Sequence, residues 1–139
     1  ITLCSRCHSL TNFERLFWQN VFSALCSGSK LVKKGWGVEC WITNNGNYCL
    51  KYLIFFKNKQ FSFHKHLLKK EMWHCLMGKF ECVLQKEGYE KDFHIFKRGD
   101  KIEIEPNILH QLKSLENSII VEVSTQHFEE DSIRLLKGD

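Results

Sequence analysis

From residue 31 to the C-terminus, the sequence alternates between short runs of strand-forming residues and clusters of turn-forming ones. The runs are rich in β-branched and aromatic residues, as in YCLKYLIFF, MWHCLM, DFHIF and SIIVEVS, and clusters such as NNGN, KNK, KEG, KRGD and EPN separate them. Many short strands at near-regular spacing, with almost no helical periodicity, are typical of antiparallel barrels and sandwiches. The pattern therefore predicts an all-β domain that occupies residues 31–139.

A helical pattern precedes this domain. Thr11 and Glu14 have the spacing of a capping box, and Gly28 is a stop signal after the last apolar position. The apolar residues between them fall at helical spacing: Phe13, Leu16, Phe17, Val21 and Leu25. We therefore expect a helix over residues 11–26 within a short N-terminal α-helical extension, residues 1–30. Because the chain begins without a methionine, we expect this extension to be the remnant of a fusion or of a gene fragment.

Composition and charge exclude several classes of partner. The chain has 139 residues, 43% of them hydrophobic, which is enough for one domain with its own core. The net charge is +4, but Lys and Arg are scattered among Asp and Glu, so we expect no nucleic-acid partner. No run approaches the roughly 18 apolar residues of a membrane span, and no basic-then-apolar leader is present. We expect a cytoplasmic protein with no membrane partner.

Seven cysteines are a high and odd count for a chain of this length. In a small secreted protein, such a count indicates a disulfide scaffold. With a large aromatic core and no leader, we expect buried free thiols in a reducing cytosol instead.

Three histidines and one glutamate form the strongest candidate for a functional site. His64 and His66 are two residues apart, so they project from the same face of a strand. Glu71 follows on the next strand, and His110 comes much later, after a Gly-Asp turn, an alternating strand and a Pro-Asn turn. Three imidazoles and one carboxylate that converge inside a barrel suit a divalent cation such as Mn, Fe, Co, Ni or Zn. His74 has the opposite parity to Glu71 and is expected to face away from this cation.

The spacing of these residues resembles the two-part signature of the cupin superfamily. HKHLLKKEMWHCLMG, residues 64–78, is His-x-His-x4-Glu-x6-Gly and matches the first part in full. The second part, from Gly99 to His110, departs from the family pattern, because Glu105 takes the usual proline place and Asn107 the usual glycine place. Asparagine tolerates the left-handed conformation better than most residues, so we expect the turn to survive. The resemblance implies a double-stranded β-helix, a jelly-roll barrel, in which all four metal-ligand positions are filled.

Two further stretches are similar to the cupins grouped with mannose-6-phosphate isomerase and D-lyxose isomerase. In those relatives a Trp-Gly stretch precedes the barrel, and a Glu-Val-Ser-Thr strand followed by acidic residues and an arginine closes it. Trp36, Gly37 and residues 122–125 match these features here. This resemblance implies a small cupin that uses its metal to interconvert the aldose and ketose forms of a sugar or sugar phosphate, which would be its small-molecule partner.

Two isolated charges in apolar strands are candidates for the proton transfers of such a reaction. Glu122 lies in IIVEVS, where burial of a carboxyl is expected to raise its pKa toward that of a useful base. Lys51 lies in YCLKYLIFF and is a candidate acid or anion-binding group. The alternative is that both face outward, since Val121 and Val123 have the opposite parity to Glu122 and a lysine can extend its ammonium to solvent. Isomerisation is favoured if both residues point into the barrel within reach of a hydroxyl bound to the metal. If neither does, a binding module or an oxygenase is favoured.

Three other charged residues receive structural interpretations. Arg134 follows a run of acidic residues and is expected to be salt-bridged on the surface. His94 and His127 have no obvious partners in the sequence, so we expect them to be structural or exposed.

Two alternatives to an isomerase stay open from the sequence. One is a non-catalytic sugar-binding cupin module, and the other is a cupin dioxygenase, which the same ligand set supports when the metal is iron. In each case we expect a homodimer, because the exposed strand edges of small jelly-roll domains are commonly covered by a second subunit.

The first residues carry a second resemblance. Cys4 and Cys7 have the spacing of half a zinc knuckle, and LCSRCHSLTNFERLFW resembles the end of an HNH-type endonuclease zinc motif. Two ligands do not hold a structural zinc ion, so we expect no nuclease activity. We interpret the segment as a helix that packs on the barrel or as a remnant of gene-fragment boundaries.

Overall fold

The computed structural model describes residues 11–139, which form one α-helix and eleven β-strands. The helix, α1, spans Asn12–Cys26. The strands are β1 (Lys30–Lys34), β2 (Gly37–Asn44), β3 (Cys49–Phe55), β4 (Phe63–His66), β5 (Glu71–Met77), β6 (Lys79–Gln85), β7 (Asp92–Lys97), β8 (Lys101–Ile104), β9 (Leu109–Ser114), β10 (Ser118–Ser124) and β11 (Ser132–Leu136). A 3-10 turn, Glu129–Asp131, precedes β11. The prediction of an all-β fold with a short N-terminal helix is confirmed.

The strands form two antiparallel sheets that face each other. The larger sheet has the order β1-β2-β3-β10-β5-β8, and the smaller has the order β11-β4-β9-β6-β7. Inward and solvent-facing positions alternate along each strand, so the inward side chains of both sheets form an apolar core between them. Aromatic rings dominate this core. Its largest fully buried side chains are Trp73, Phe55, Phe80 and Phe96. This arrangement is the double-stranded β-helix that the signature implied.

Helix α1 begins with the capping box that its sequence predicted. Thr11 Oγ1 accepts the N–H of Glu14 at 3.2 Å, and the Glu14 carboxylate accepts the N–H of Thr11 at 2.8 Å. The helix buries Trp18 and Phe22 against the outer face of the larger sheet, where Ile54 receives them. No helix in residues 11–139 has both the length and the apolar character that a bilayer crossing needs.

Two turns hold the strands that carry the predicted ligands in register. Gly78 has φ 93°, and a side chain there would collide with Ser118, so glycine is required where β5 turns into β6. Asn107 has φ 69°, which confirms that asparagine takes the left-handed position. The N–H of Asn107 donates to the carbonyl oxygen of His66 at 2.7 Å. The turn before β9 is therefore tied to the end of β4.

The expectation that the cysteines are free thiols is wrong for one pair. Cys26, at the end of α1, and Cys40, in β2, form a disulfide with their Cα atoms 5.4 Å apart. This separation is within the range that a disulfide spans, and it follows from the packing of α1 on the sheet, which the spacing of cysteines in the sequence does not reveal. Cys49, Cys75 and Cys82 are free and buried, as expected.

The half zinc motif lies outside the described residues, because Cys4 and Cys7 belong to residues 1–10. Its resemblance to an endonuclease motif stays a prediction. The division of the chain at residue 30 also stays a prediction.

Candidate metal centre and its cavity

The three predicted histidine ligands lie side by side on the smaller sheet. His64 of β4 and His110 of β9 are paired across the two strands, and His66 lies two residues further along β4. One nitrogen from each of the three rings lies within 4.8 Å of the other two. The His-x-His spacing and the β4–β9 register thus bring three imidazoles to one point.

Glu71 comes to this point from the opposite sheet. It is the first residue of β5, and its Oε1 lies 3.0 Å from His110 Nε2 and 3.7 Å from His66 Nε2. The Glu71 side chain is only 1% exposed. The structure therefore brings together all four residues that the sequence predicted as ligands.

The Nδ1 atom of each histidine ring has a hydrogen-bond partner, and these contacts direct the Nε2 atoms toward the centre. The Nδ1 of His64 lies 2.7 Å from the Ser62 carbonyl oxygen, and the Nδ1 of His110 lies 2.8 Å from the Ile108 carbonyl oxygen. A carbonyl oxygen can only accept, so both Nδ1 atoms carry a proton, and in the neutral form of each ring Nε2 is unprotonated. Ser132 Oγ approaches His66 Nδ1 at 3.2 Å. Partners of this kind fix ring orientation at metal sites.

One contact indicates that a cation belongs at this point. His110 Nε2 and Glu71 Oε1 are buried, and neither has a hydrogen-bond partner. In the neutral form of His110, which is the form that binds a metal, an imidazole lone pair and a carboxylate oxygen face each other at 3.0 Å, which is repulsive. A divalent cation shared by the two atoms removes the repulsion. Three imidazole nitrogens and a carboxylate oxygen are therefore a fitting donor set for Mn, Fe, Co, Ni or Zn.

Burial keeps two of the imidazoles neutral. It lowers the pKa of His64 to about 3, with a further contribution from His110, and lowers the pKa of His66 to about 2, with a further contribution from the ammonium of Lys69. Neutral imidazole is the form that binds a metal. Both rings are thus ready to act as ligands across the physiological pH range.

The lowered pKa values predict that the metal-free protein loses stability as the pH falls. Below the ordinary histidine pKa of about 6.5, the unfolded chain binds protons that folded His64 and His66 do not bind until about pH 3 and pH 2. Each ring then reduces the free energy of unfolding by up to about 1.4 kcal/mol per pH unit. Urea unfolding of the chelator-treated protein at several pH values between about 7 and 5 measures this slope.

The matched variant for this measurement is a double substitution, His64→Gln with His66→Gln. It removes both groups and should make the loss of stability with falling pH less steep. An unchanged slope in the double variant would show that other groups cause the pH dependence.

Glu122 and Lys51, the predicted catalytic residues, both point into the barrel. Glu122 in β10 is paired with Lys51 in β3 on one side and with Trp73 in β5 on the other, and all three are buried. Glu122 Oε1 accepts a hydrogen bond from Trp73 Nε1 at 3.4 Å. The alternative in which these side chains face solvent is therefore wrong, and the roles assigned to them stay predictions.

The expected rise in the pKa of Glu122 is also wrong. Burial raises this pKa, but the ammonium of Lys69, with smaller contributions from Glu71 and Lys51, more than offsets it, so the pKa lies below its ordinary value. Lys69 Nζ lies 3.6 Å from Glu122 Oε2 and 3.3 Å from Glu71 Oε2. The Glu122 carboxylate is therefore ionised, and a buried cation lies between it and the predicted metal ligand Glu71.

Lys51 is held by a different set of partners. Its Nζ lies 3.3 Å from Glu39 Oε1 and 4.0 Å from the centre of the Trp41 ring. Trp41 Nε1 donates to the same Glu39 oxygen at 2.8 Å. Lys51 is thus a fixed, paired cation in the wall of the barrel and does not extend to solvent.

These groups share one cavity of about 380 Å³. The residues that line it include the four predicted ligands, the buried charges Glu122, Lys69, Lys51 and Glu39, and the rings of Trp36, Phe61 and Trp73. A cavity of this size is within the range of small-molecule sites, and its mixture of charged groups and aromatic walls is typical of them.

Three residues around the centre were not identified from the sequence. Lys69 precedes Glu71 by two residues but lies in the loop before β5, where the alternation of a strand does not apply. Asp131 accepts the N–H groups of residues 67–69 at 2.8–3.0 Å and so fixes the loop between two predicted ligands. His127, expected to be structural or exposed, lines the cavity and lies 3.5 Å from Lys69 Nζ. No local signal locates Asp131 or His127, because both contacts join distant parts of the chain.

Solved structures with a similar fold include oxalate decarboxylases. An oxalate decarboxylase of Bacillus subtilis matches with a TM-score of 0.72 and 13% identity, over 80% of this chain and 31% of that chain. The oxalate decarboxylase formate complex of Lactobacillus farciminis matches with a TM-score of 0.70 and 14% identity, over 80% of this chain and 35% of that chain. The chain spans about a third of the length of these proteins. No protein-family profile matches it, and no curated protein is detectably similar in sequence.

At this level of sequence identity, the similarity shows a common fold. It does not show that this chain has the activity of those proteins. The two sheets, their topology and the position of the histidine cluster agree with the two-part signature in the sequence. The chain therefore has the cupin fold, with a cluster of three histidines that can bind a divalent metal ion.

Proposed function

We propose that this chain is a metal-dependent isomerase that interconverts the aldose and ketose forms of a sugar or sugar phosphate. The observation that carries the proposal is the position of Glu122. Its ionised carboxylate lies in the same cavity as the four predicted ligands and is joined to Glu71 through Lys69. Aldose–ketose isomerisation needs a base of this kind beside a metal, because a proton must move between two adjacent carbons.

The metal would be held by His64, His66, Glu71 and His110. When bound, a divalent cation there polarises the carbonyl and the neighbouring hydroxyl of the sugar. The protein contributes a site in which the ring orientations are fixed by hydrogen bonds at Nδ1 and by the loop that Asp131 anchors. A site fixed in advance loses little conformational entropy when the substrate binds.

Glu122 takes the proton from the hydroxyl-bearing carbon beside the carbonyl and returns it to the former carbonyl carbon. The proton of the neighbouring hydroxyl passes to the former carbonyl oxygen, so that the substrate gains and loses no net proton. Its lowered pKa keeps it ionised before the reaction, and the hydrogen bond from Trp73 Nε1 orients it. Lys69 stabilises the carboxylate as a permanent positive charge, because the carboxylates of Glu122 and Glu71 outweigh burial and raise its pKa. Lys51, fixed by Glu39, donates a hydrogen bond to a substrate oxygen.

A second candidate is suggested by the similar structures, which are oxalate decarboxylases by name. The positive charges in the cavity, Lys51 and Lys69, are compatible with a small carboxylate substrate as well as with a sugar. The iron-dependent dioxygenase and the non-catalytic sugar-binding module are further alternatives. Each of these alternatives places a small molecule in the same cavity, and a substrate screen separates the enzymatic ones.

The test is metal analysis of the purified protein together with a screen of aldoses, ketoses and their phosphates. We expect one bound divalent metal per chain and interconversion of one aldose–ketose pair, which chelation abolishes and metal restores. Oxalate with detection of released CO₂, and oxygen consumption with the iron-loaded protein, are run in parallel. Turnover of oxalate or uptake of oxygen without any sugar turnover would overturn the proposal.

A further inference from the structure

Residues 60–62, here called the support segment, contact two of the predicted metal ligands. The Ser62 carbonyl oxygen lies 2.7 Å from His64 Nδ1, and the Ser62 hydroxyl lies 3.1 Å from the same nitrogen. The ring of Phe61 packs edge-on against the rings of His64 and His110, with centroid distances of 5.2 and 6.2 Å. The position of the support segment therefore determines how the His64 ring is oriented.

The support segment is not part of a regular strand, so its position depends on contacts from both sides. On one side, a β-bridge joins Gln60 to Lys113 of β9. Gln111, also in β9, donates from Nε2 to the Phe61 carbonyl oxygen at 2.9 Å. On the other side lie residues 137–139, which follow β11 and line the cavity. We call these three residues the clasp segment.

Asp139 of the clasp segment binds Gln60 through two hydrogen bonds of opposite direction. Its N–H donates to the Gln60 carbonyl oxygen at 2.9 Å, and its Oδ2 accepts the N–H of Gln60 at 2.8 Å. The other carboxylate oxygen lies 3.8 Å from Lys59 Nζ. Both backbone polar groups of Gln60 are thus bound by Asp139, at the start of the support segment.

Two glycines allow the clasp segment to approach its neighbours closely. A side chain at Gly138 would collide with the backbone where Phe61 joins Ser62. A side chain at Gly35, in the turn between β1 and β2, would collide with the backbone of Asp139. The clasp segment therefore fills the space between the β1–β2 turn of the larger sheet and the support segment. It holds the support segment against β9, because there is no room for displacement away from that strand.

We propose that Asp139 is a positioning residue for the metal centre and acts on His64 through the support segment. With the clasp segment in place, the Ser62 carbonyl oxygen stays where it accepts the His64 Nδ1 proton, so the ring presents Nε2 to the metal. Without it, the support segment samples positions that leave the ring unoriented. A metal ion then binds only the fraction of molecules in the competent arrangement, which lowers its apparent affinity. The inference rests on the metal centre of the proposed function and is independent of the reaction there.

The test measures Co²⁺ binding to the full chain, because the visible absorption of bound Co²⁺ depends on the number and geometry of its ligands. Asp139→Ala removes the acceptor of the Gln60 N–H. We expect it to weaken Co²⁺ affinity about three- to tenfold and to change the absorption band. Asp139→Asn keeps an acceptor oxygen and should restore the wild-type affinity and spectrum. Gly138→Ala introduces the clash with the support segment and should reproduce the effect of Asp139→Ala.

The matched control is Lys59→Ala, which removes the ammonium beside Asp139 and leaves both hydrogen bonds to Gln60 in place. A partly exposed ion pair contributes little, so Co²⁺ affinity and spectrum should stay those of the wild-type chain. The unfolding temperature of each metal-free variant is recorded as well. If Asp139 only stabilised the fold, Asp139→Ala would lower this temperature and leave Co²⁺ affinity and spectrum unchanged, which would overturn the inference. Equal losses of affinity in Lys59→Ala and Asp139→Ala, or no recovery in Asp139→Asn, would overturn it too.

The same experiment separates this inference from the proposed function. If the wild-type chain binds no Co²⁺, the metal centre and the positioning role are both wrong. If Co²⁺ binding does not depend on Asp139, the positioning role alone is wrong. Binding that depends on Asp139 in a chain that turns over no sugar supports the positioning role and excludes the isomerase.

Discussion

Replacement of His110 by alanine is expected to abolish metal binding while the fold is retained. His110 is fully buried, its Nε2 points at Glu71 Oε1 at 3.0 Å, and its ring is fixed by the Ile108 carbonyl oxygen. Loss of this ligand should weaken metal affinity by more than the roughly 10- to 100-fold that loss of a supporting hydrogen bond alone costs at metal sites. The measurement is metal content after dialysis, with the unfolding temperature recorded in the presence and absence of the metal.

The unfolding temperature separates loss of metal from loss of structure. A ligand that binds only the folded chain stabilises it by about 2.7 kcal/mol at 100 times its dissociation constant, so the wild-type protein should melt at a higher temperature with metal. The variant should melt at the same temperature with and without it. The control is His94→Ala, which removes a partly exposed imidazole that is paired with Asp92 at 3.8 Å. Retention of the metal by the His110 variant would contradict the ligand assignment.

The fold and the four predicted ligands could be inferred from the sequence because the strands follow from short-range patterns and the ligands from a recognisable signature. The alternation of apolar and polar residues gives the strands, and the two-residue spacing of His64 and His66 gives their common face. The spacing of Glu71 and His110 from these histidines is a family signature, so their convergence did not have to be derived from packing. The capping box at Thr11 is likewise local.

What could not be inferred depends on contacts between distant parts of the chain. Asp131 accepts hydrogen bonds from the loop before β5, whose residues are 62 to 64 positions away in sequence, and no local pattern predicts these contacts. The pKa of Glu122 was expected to rise because the apolar residues around it in the sequence indicate burial. That argument takes no account of charges from other parts of the chain. In the folded chain Lys69 lies beside it and reverses the sign of the shift. The disulfide between Cys26 and Cys40 similarly needs the docking of α1, which only tertiary structure provides.

The interpretation of Arg134 was right about its exposure and wrong about a salt bridge, because the residue is exposed and no ion pair within residues 11–139 involves it. Its sequence neighbours are acidic, so local charge favours a surface salt bridge. The antiparallel pairing of β11 with β4 instead turns the side chain toward the cavity and leaves the acidic neighbours in other interactions, such as the hydrogen bonds that Asp131 accepts. Proximity in sequence is a poor guide to ion pairing on a strand, because adjacent residues face opposite sides of the sheet.

Replacement of Glu122 by glutamine is expected to abolish isomerisation without loss of the metal. Glutamine keeps the size of the side chain and can still accept the hydrogen bond from Trp73, but it cannot take a proton from carbon. Removal of a general base typically lowers kcat by about 10²- to 10⁴-fold. Because Glu122 is not one of the predicted ligands, the metal content of the variant should equal that of the wild-type protein. The readouts are kcat for the sugar or sugar phosphate found in the screen and incorporation of solvent deuterium at the carbon beside the carbonyl.

Deuterium incorporation distinguishes a base from a residue that only supports the structure of the cavity. If Glu122 moves the proton, the variant should lose both turnover and exchange, while substrate affinity changes little. If Glu122 only supported the structure of the cavity, the variant would bind the substrate more weakly. The substrate that does bind would then still exchange deuterium at the wild-type rate. Glu81→Gln, a substitution on an exposed position of β6, is the matched control and should leave kcat, exchange and metal content unchanged. Wild-type exchange in the Glu122 variant would show that another group in the cavity removes the proton, and Lys51, the other predicted catalytic residue, would then be the next residue to replace.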